Sequence, residues 1–411
     1  MTLIIKNIRQ LLNVRKETIL LRKKDLADLP CIENAYLVIE GSEIAEFGEM
    51  AGLKYNRTSK DTLDASGRLV FPTWCDSHSH LVFAESREEE FVDKIKGLSY
   101  VEINERGGGI LNSAHKVSEI SEDELFIRSW QRLEEVKKLG TGAIEIKSGY
   151  GLSLEGELKM LRVIKRLKSK SNLCIKSTFL GAHSFPLRYR IDHAGYLELI
   201  LNQMLPAIAE EGLADYVDVF CEKGFFNISE MENICNAARS TGLKPKLHVN
   251  QLNSFGAVES GVRLGALTLD HLEVMDRNDI QVLAHSGSIG TLLPTAAYFL
   301  GMKMPPARQL IEAGAAISLA SDYNPGSSPS GNMNFVFSLS CIQLKMLPTE
   351  AMNAATINAA FAMEVEQKLG SISVGKRANI IVTKPVPSLA FIPYSFGTNL
   401  IDQVFINGER C

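Results

Sequence analysis

The sequence has 411 residues, of which 45% are hydrophobic and 22% are charged, and its formal net charge at pH 7 is −4. This composition is typical of a globular protein, and the absence of a basic tract argues against nucleic acid or a membrane surface as the main partner. No apolar run reaches the ~18 residues that a membrane-spanning helix needs. The length suits a barrel of about 250 residues with an additional layer of structure.

The cysteines favour a reducing compartment. There are seven, they are scattered along the chain, and no two form a C-x-x-C pair. Reduced thiols in the cytoplasm are the state that this pattern indicates. The first segment, MTLIIKNIRQLL, is interrupted by Lys6 and Arg9, so it predicts a strand rather than a signal peptide.

Both ends of the chain predict short strands. The runs LIIKNI, AYLVIE and EIAEF near the N-terminus are rich in β-branched residues and are separated by polar turns. After a helix that we predict between Pro348 and Met363, the C-terminal segment returns to short strands. We therefore expect residues 1–66 and 366–411 to form one β-domain, with residues 67–365 as a separate domain between them.

The middle of the chain alternates between strands and amphipathic helices. The helical pattern from Ser121 to Leu139, for example, opens with Ser-Glu-Asp-Glu and precedes a buried strand. Eight strands are predicted, at 68–74, 143–147, 175–180, 216–220, 244–248, 267–271, 290–293 and 316–321. This rhythm predicts an α/β fold with a closed (β/α)₈ barrel. An open doubly wound sheet is the alternative, but it would more often carry a glycine-rich phosphate loop after its first strand.

Polar side chains recur at one end of the predicted strands. They are His78 and His80 after the first strand, Glu145 and Lys147 in the second, His183 after the third, His248 in the fifth, His271 in the sixth and Asp322 after the eighth. Barrel enzymes build their active sites at the C-terminal ends of the strands. Imidazoles together with a carboxylate suit Zn²⁺ or Fe²⁺ and leave a position for water.

Simpler interpretations exist for each of these residues. A single histidine at a strand end is more often a structural hydrogen-bond donor than a metal ligand, although His78 and His80 are two apart and can face the same point. Glu145 and Lys147 could form an inward-facing ion pair, and SGYG (148–151) could be only a turn. Arg87 lies in the charged run SREEEF, which could be a solvated helix start.

The motifs resemble those of the metal-dependent amidohydrolase superfamily, and within it the imidazolonepropionase family. The resemblance covers essentially the whole chain, and the most specific stretches are HSHLVFAESREEEF, ERGGGI, EIKSGYGL, STFLGAH, LLPTAAYFL, SDYNPGSSP and TINAAFAM. It implies a distorted (β/α)₈ TIM barrel with a small β-sandwich domain built from both chain termini. It also implies one Zn²⁺ or Fe ion per subunit, a small-molecule substrate and a homodimer.

The family hydrolyses the ring C–N bond of 4-imidazolone-5-propanoate to N-formimidoyl-L-glutamate in histidine degradation. The resemblance implies that the metal ligands are His78, His80, His248 and Asp322. It implies substrate contacts from Arg87, Tyr100, Tyr150, His183, Asn324, Gly326 and Ser327. A guanidinium such as that of Arg87 suits the substrate's carboxylate because it binds bidentately.

One position departs from the family pattern. Many members have a glutamate three residues after the histidine of the fifth strand, where this chain has Gln251. An amide donates and accepts hydrogen bonds but cannot take a proton. We therefore expect either that Gln251 binds the ring in place of that glutamate, or that the ring is not the family's usual one. We expect Asp322 to accept the proton of the attacking water, and His271 or His183 to stabilise the oxyanion.

Two other functions fit parts of the pattern. The first is a related amidohydrolase, such as a deaminase or cyclic-amide hydrolase, that acts on another nitrogen heterocycle. The second is a non-catalytic barrel that serves as a binding module, although a complete set of metal ligands argues against it.

Overall fold

A computed structural model describes residues 2–54, 61–98 and 108–411 and contains two eight-stranded sheets. One sheet is a parallel barrel in which each strand neighbours the next in sequence. Its strands are β6 (Trp74–Asp76), β7 (Thr141–Lys147), β8 (Cys174–Ala182), β9 (Tyr216–Cys221), β10 (Lys244–Val249), β11 (Thr268–His271), β12 (Ile289–Leu292) and β13 (Ala316–Leu319). The predicted (β/α)₈ barrel is confirmed, and its strands are buried throughout except at two N-terminal ends and one further position in β8.

The barrel closes just beyond the ends of β13 and β6. Ser79 and Tyr323 form a parallel bridge, and the amide of His80 donates to the carbonyl of Tyr323 at 2.8 Å. The amide of Asp322 donates to the carbonyl of His78 at 3.0 Å. Backbone hydrogen bonds therefore join the two segments that carry most of the predicted metal ligands.

The second sheet is mixed and is built from both ends of the chain. Its strands are β1 (Thr2–Leu12), β2 (Cys31–Glu40), β3 (Glu43–Glu49), β4 (Asp61–Asp64), β5 (Leu69–Pro72), β14 (Ile380–Thr383), β15 (Ile401–Ile406) and β16 (Glu409–Arg410). The two chain ends meet where β5 pairs antiparallel with β14. The predicted β-domain from both termini is thus confirmed, whereas the division at residues 66 and 366 remains a prediction.

The first predicted barrel strand, 68–74, is wrong as a single element. Leu69–Pro72 belongs to the terminal sheet, and only Trp74–Asp76 belongs to the barrel. The chain changes partners between Thr73, whose amide donates to Asn379, and Trp74, whose amide donates to Gly140. Both sheets bury this segment completely. The apolar run is therefore continuous and gives no sign of the switch.

A buried tryptophan fixes this junction. The ring of Trp74 lies 5.3 Å from that of Phe71 and 5.6 Å from that of Phe337, measured between centroids. Its indole Nε1 donates to Asn334 Oδ1 at 3.1 Å. These contacts anchor the strand that leads directly into His78.

Helices surround the barrel. Their bounds are Lys24–Ala27, Glu88–Ile95, Gly109–Glu119, Glu122–Lys138, Leu154–Lys170, His193–Leu199, Leu205–Glu211, Ile228–Ser240, Ala257–Arg263, Arg277–Ala284, Pro294–Leu300, Ala307–Ala313, Met333–Ile342, Pro348–Ala355, Ile357–Phe361 and Phe391–Tyr394. Ser121 is the N-cap that the sequence predicts, and its side chain accepts from the amide of Glu124 at 3.2 Å. Among the described residues, no helix has the length and apolar character needed to cross a bilayer.

Candidate metal centre and active site

Four histidines and one aspartate converge at the C-terminal end of the barrel. His78, His80, His248, His271 and Asp322 are each no more than 2% exposed. Nitrogen atoms of His78, His248 and His271 lie within 4.8 Å of one another, and so do ligand atoms of His78, His80 and Asp322. The sequence predicted this cluster from strand ends alone, and the structure brings all five side chains together.

The cluster fits a metal ion. Among the described residues, His78 Nε2 and His80 Nδ1 are buried without a hydrogen-bond partner. Asp322 Oδ1 lies 3.5 Å from His78 Nε2 and 3.6 Å from His80 Nε2. A buried nitrogen lone pair without a partner is costly, and a divalent cation beside Asp322 would satisfy that of His78 Nε2. Imidazole and carboxylate ligands are the set that zinc and iron accept.

Two buried carboxylates orient two of these histidines. Asp270 Oδ2 lies 2.6 Å from His78 Nδ1, and Asp218 Oδ2 lies 2.7 Å from His248 Nδ1. Asp218 Oδ1 also accepts from the backbone amide of His248 at 3.0 Å. A carboxylate at Nδ1 keeps the proton there, so that Nε2 presents its lone pair to a metal.

Sequence reasoning missed Asp218 and Asp270. Both lie inside strands that are otherwise apolar, in YVDVFC and TLDH. A charged residue within a buried parallel strand is rarely tolerated unless it is paired. The sequence therefore indicated that both aspartates are paired, but the spacing of residues does not show which histidine each carboxylate contacts.

The backbone at the site is strained. His271 has φ 83°, Leu272 has φ 66°, Asp322 has φ 50° and Asn250 has φ 55°. Non-glycine residues rarely adopt the left-handed region, and such strain concentrates at functional sites. All four residues lie at or just after the C-terminal ends of barrel strands, where the cluster lies.

Burial and neighbouring charges set the protonation of the cluster. Burial lowers the pKa of His78, His80 and His248 well below the usual value, so all three are neutral and able to bind a metal at pH 7. Burial raises the pKa of Asp322 to about 6, against the opposing effect of His271.

His271 is the exception. Burial alone would lower its pKa, but the carboxylate of Glu273 raises the pKa of His271 to about 9. Glu273 Oε1 lies 3.4 Å from His271 Nδ1. The protonated ring carries an N–H at both nitrogens and can donate a hydrogen bond to a negatively charged oxygen.

His183 differs from His271. Its Nδ1 donates to the carbonyl of Gly149 at 3.0 Å, and burial lowers the pKa of His183 to about 4. At pH 7 its Nε2 therefore holds a lone pair and accepts rather than donates. Of the two oxyanion donors expected from the sequence, this geometry favours His271. The ring of His183 is stacked on that of His80, with centroids 5.3 Å apart.

The SGYG segment is more than a surface turn. The carboxylate of Glu157 accepts from the amides of Gly149, Gly151 and Leu152 at 3.1, 2.8 and 3.0 Å. Gly149 has φ 108°, and an added Cβ would be 2.9 Å from His183 Nδ1, so a side chain is excluded there. This turn holds the buried ring of Tyr150 5.4 Å from that of His183 and 5.9 Å from that of His80.

Arg87 is held by an ion pair beside the cluster. Its Nε donates to Glu90 Oε2 at 2.9 Å and its Nη2 to the same oxygen at 2.5 Å. Among the described residues, its Nη1 has no hydrogen-bond partner, and it lies against Gly326, where an added Cβ would be 2.3 Å away. Arg87 is therefore an oriented cation, with a side chain that is 9% exposed, and not part of a solvated helix start.

The loop after Asp322 joins Arg87 to the metal cluster. Ser327 Oγ donates to Asp322 Oδ2 at 3.3 Å, and Asn324 Oδ1 accepts from the amides of Gly326 and Ser327 at 2.8 Å each. Asn324 Nδ2 donates to the carbonyl of Asp322 at 2.6 Å. The side chain of Asn324 thus shapes the loop, and its expected contact with substrate stays a prediction.

Two further expected substrate contacts are less defined. The backbone N–H of Gln251 donates to Glu222 Oε1 at 2.6 Å, and this hydrogen bond holds the loop after β10. Gln251 is 8% exposed. Tyr100 lies outside the described residues. The substrate roles of both stay predictions.

Comparisons with known proteins identify relatives of the chain. The amidohydrolase family matches residues 69–411. The chain is 53% identical to an imidazolonepropionase of Christiangramia forsetii and 54% identical to one of Flavobacterium johnsoniae, in each case over the full length of both chains.

Solved structures share the fold at low sequence identity. Guanine deaminase of E. coli has a TM-score of 0.75 at 14% identity, with 100% of this chain and 99% of that chain covered. A mutant of an atrazine chlorohydrolase from Arthrobacter aurescens, complexed with zinc and atraton, has a TM-score of 0.74 at 14% identity, covering 99% and 94%.

Proposed function

Because the chain belongs to the amidohydrolase family, we propose that it is a metal-dependent hydrolase of a cyclic amide C–N bond, with 4-imidazolone-5-propanoate as substrate and N-formimidoyl-L-glutamate as product. The full-length identity of 53% to imidazolonepropionases supports this substrate. The observation that carries the reaction type is the buried cluster, in which the unpartnered His78 Nε2 lies 3.5 Å from Asp322 Oδ1.

One ion, zinc or iron, would be held by His78, His80, His248 and Asp322. When bound, such an ion polarises a carbonyl and lowers the pKa of its bound water to about 7. The neutral state of the three histidines, together with the carboxylates behind His78 and His248, supports this ligand set.

Side chains of the protein transfer the proton and stabilise the developing negative charge. Asp322 accepts a proton from the attacking water, whose oxygen bonds to the ring carbonyl carbon. The protonated ring of His271 donates a hydrogen bond to the carbonyl oxygen as it becomes negative. When the C–N bond breaks, Asp322 returns its proton to the leaving nitrogen, so that no other acid is needed.

Arg87 binds the propanoate carboxylate. Glu90 holds one edge of the guanidinium, and the Nη1 atom remains for the ligand. Charged hydrogen bonds of this kind are about twice as strong as neutral ones. The other residues around the ring are Tyr150, His183, Gln251 and the loop from Asn324 to Ser327, and Tyr100 is expected there too.

The test is turnover by the purified protein. We expect it to convert 4-imidazolone-5-propanoate to N-formimidoyl-L-glutamate, detected by mass spectrometry, much faster than it acts on a panel of other cyclic amides and aminated heterocycles. No turnover of this substrate, with turnover of another ring, would favour the related amidohydrolase.

Gln251 is the position at which the alternative, a related amidohydrolase acting on another ring, can be tested. A Gln251→Glu variant should not gain activity on imidazolone propanoate, because Glu222 already places a carboxylate beside the backbone of this loop. A large gain on another ring would identify that ring as a better match to the site.

Three properties of the whole protein belong to the same proposal. The ion is zinc or iron, the enzyme is a homodimer, and it acts in the cytoplasm. Metal analysis, light scattering after size-exclusion chromatography and cell fractionation test these in turn.

A further inference from the structure

Two lysines are completely buried inside the barrel, and the reaction does not use either. Lys147 and Lys246 are both 0% exposed. Lys147 Nζ lies 2.7 Å from Asp218 Oδ2, 2.8 Å from Glu145 Oε1 and 3.5 Å from Asp270 Oδ2. A buried ammonium is expensive to desolvate, so its position requires an explanation.

The carboxylates around Lys147 are the ones that orient the metal ligands. Asp218 Oδ2 accepts from His248 Nδ1 and Asp270 Oδ2 from His78 Nδ1. The same two oxygen atoms contact Lys147. One ammonium therefore connects both carboxylate–histidine pairs, whose imidazole rings lie only 4.4 Å apart.

We propose that Lys147 is a positioning residue that sets the affinity of the centre for its metal. It holds Asp218 and Asp270 together, so that each fixes its histidine with Nε2 towards the ion. Without the ammonium, the negative charges of Asp218 and Asp270 would repel each other in the buried interior. The two carboxylates would then move away from the Nδ1 atoms of their histidines. The inference rests on the metal centre of the proposed function but not on its substrate.

Lys246 provides a matched control. It is equally buried in the same layer, but its Nζ donates to the carbonyls of Ser77 and Ala362 at 3.0 and 2.9 Å and pairs with Glu145. No ion pair joins Lys246 to Asp218 or Asp270, and its charge acts on Asp270 less than that of Lys147 does. A purely structural role for buried lysines predicts equal effects at the two positions.

The experiment compares Lys147→Met and Lys246→Met as metal-free proteins. The dissociation constant for Zn²⁺ is measured by competition with a chelator, and the visible absorption of the Co²⁺-loaded proteins reports ligand geometry. Loss of a group that orients a ligand typically costs about 10- to 100-fold in metal affinity. We expect that loss, with a changed Co²⁺ spectrum, in Lys147→Met, and a Lys246→Met constant close to that of the wild type.

Whether zinc binding weakens or tightens in Lys147→Met distinguishes a positioning role from a purely electrostatic one. If Lys147 acted only as a nearby cation, its removal would tighten the binding of another cation. Tighter or unchanged zinc binding in Lys147→Met would therefore overturn the inference. Equal weakening in both variants would also overturn it, because burial alone would then explain the effect.

A second variant, Lys147→Gln, tests the inference if Lys147→Met does not fold. Lys147→Gln keeps N–H donors for Asp218 and Asp270 without the charge, and it should bind zinc more weakly than the wild type but more tightly than Lys147→Met. If Lys147→Met does not fold, a Lys147→Gln protein with wild-type zinc affinity overturns the inference. A wild type that binds zinc without hydrolysing imidazolone propanoate would contradict only the proposed substrate, whereas one that binds no metal would contradict both.

Discussion

The inner wall of the site and its mouth are built in different ways. On the wall, His248 and His271 lie on barrel strands, and aspartates on strands β9 and β11 orient two of the ligands. At the mouth, Arg87 lies just before a short helix and Gly326 lies in a loop, and they are held by one ion pair and by turns. The wall is fixed by the barrel, and the mouth by local contacts.

This difference indicates where chemistry and substrate choice reside. Barrel folds change substrates by varying their loops. Changes at the wall should therefore reduce turnover of every substrate, whereas changes at the mouth should alter recognition of the carboxylate.

The largest effect is expected at the wall. Asp322→Ala removes a proposed ligand and the proton acceptor, so we expect kcat/KM to fall by about 10³-fold or more, with less metal bound. Asp123→Ala, at a side chain that is 83% exposed, is the control and should retain both activity and metal. Turnover of Asp322→Ala at the wild-type rate would remove Asp322 from the mechanism.

At the mouth, Arg87→Gln should raise KM with metal content unchanged. Loss of a charged hydrogen bond predicts a decrease of about 10- to 100-fold in kcat/KM. An imidazolone without the propanoate carboxylate is the decisive control, because wild type and variant should hydrolyse it equally well. An equal loss on both substrates would mean that Arg87 does not bind the carboxylate.

A smaller effect is expected from Gly326→Ala. The new Cβ would lie 2.3 Å from Arg87 Nη1, so the guanidinium must move while the fold remains intact. We expect roughly a 10-fold decrease in kcat/KM from this displacement. Gly287→Ala has no atom within 4 Å of the added Cβ and should match the wild type in the same assay.

The smallest effect is expected from Tyr150→Phe. The change removes one hydroxyl and leaves the buried ring beside His80 and His183. A lost hydrogen bond to substrate predicts about a 3- to 10-fold increase in KM. Unchanged steady-state kinetics would mean that Tyr150 contributes only its ring to the packing of the site.

The sequence predicted the wall better than the mouth. His78 and His80 alternate along an extended segment, and His248 and His271 end strands, so strand periodicity alone brings them to one place. Asp218 and Asp270 were missed because a pattern along one strand does not show which residue lies opposite on the next. The assignment of 68–74 to one strand failed because hydrophobicity does not record a change of partner.

The positions of the side chains at the mouth depend on tertiary contacts that the spacing of residues along the sequence does not specify. The resemblance implied a substrate contact for Arg87, while its charged run alone also fitted a solvated helix start, and only the fold places it against Gly326. His183 was expected as a possible oxyanion donor, but its Nδ1–H donates to the carbonyl of Gly149, 34 residues earlier in the chain. Side chains in loops are positioned by such tertiary contacts, which a single sequence does not specify.

The most direct test of the account measures turnover and metal in the same preparation. The purified protein is assayed on 4-imidazolone-5-propanoate before metal removal by a chelator, after removal, and after zinc or iron is restored, with the metal per subunit determined each time. The account predicts turnover that disappears with the metal and returns as about one ion per subunit is bound. Full turnover by the metal-free protein, or none by the fully loaded protein, would contradict it.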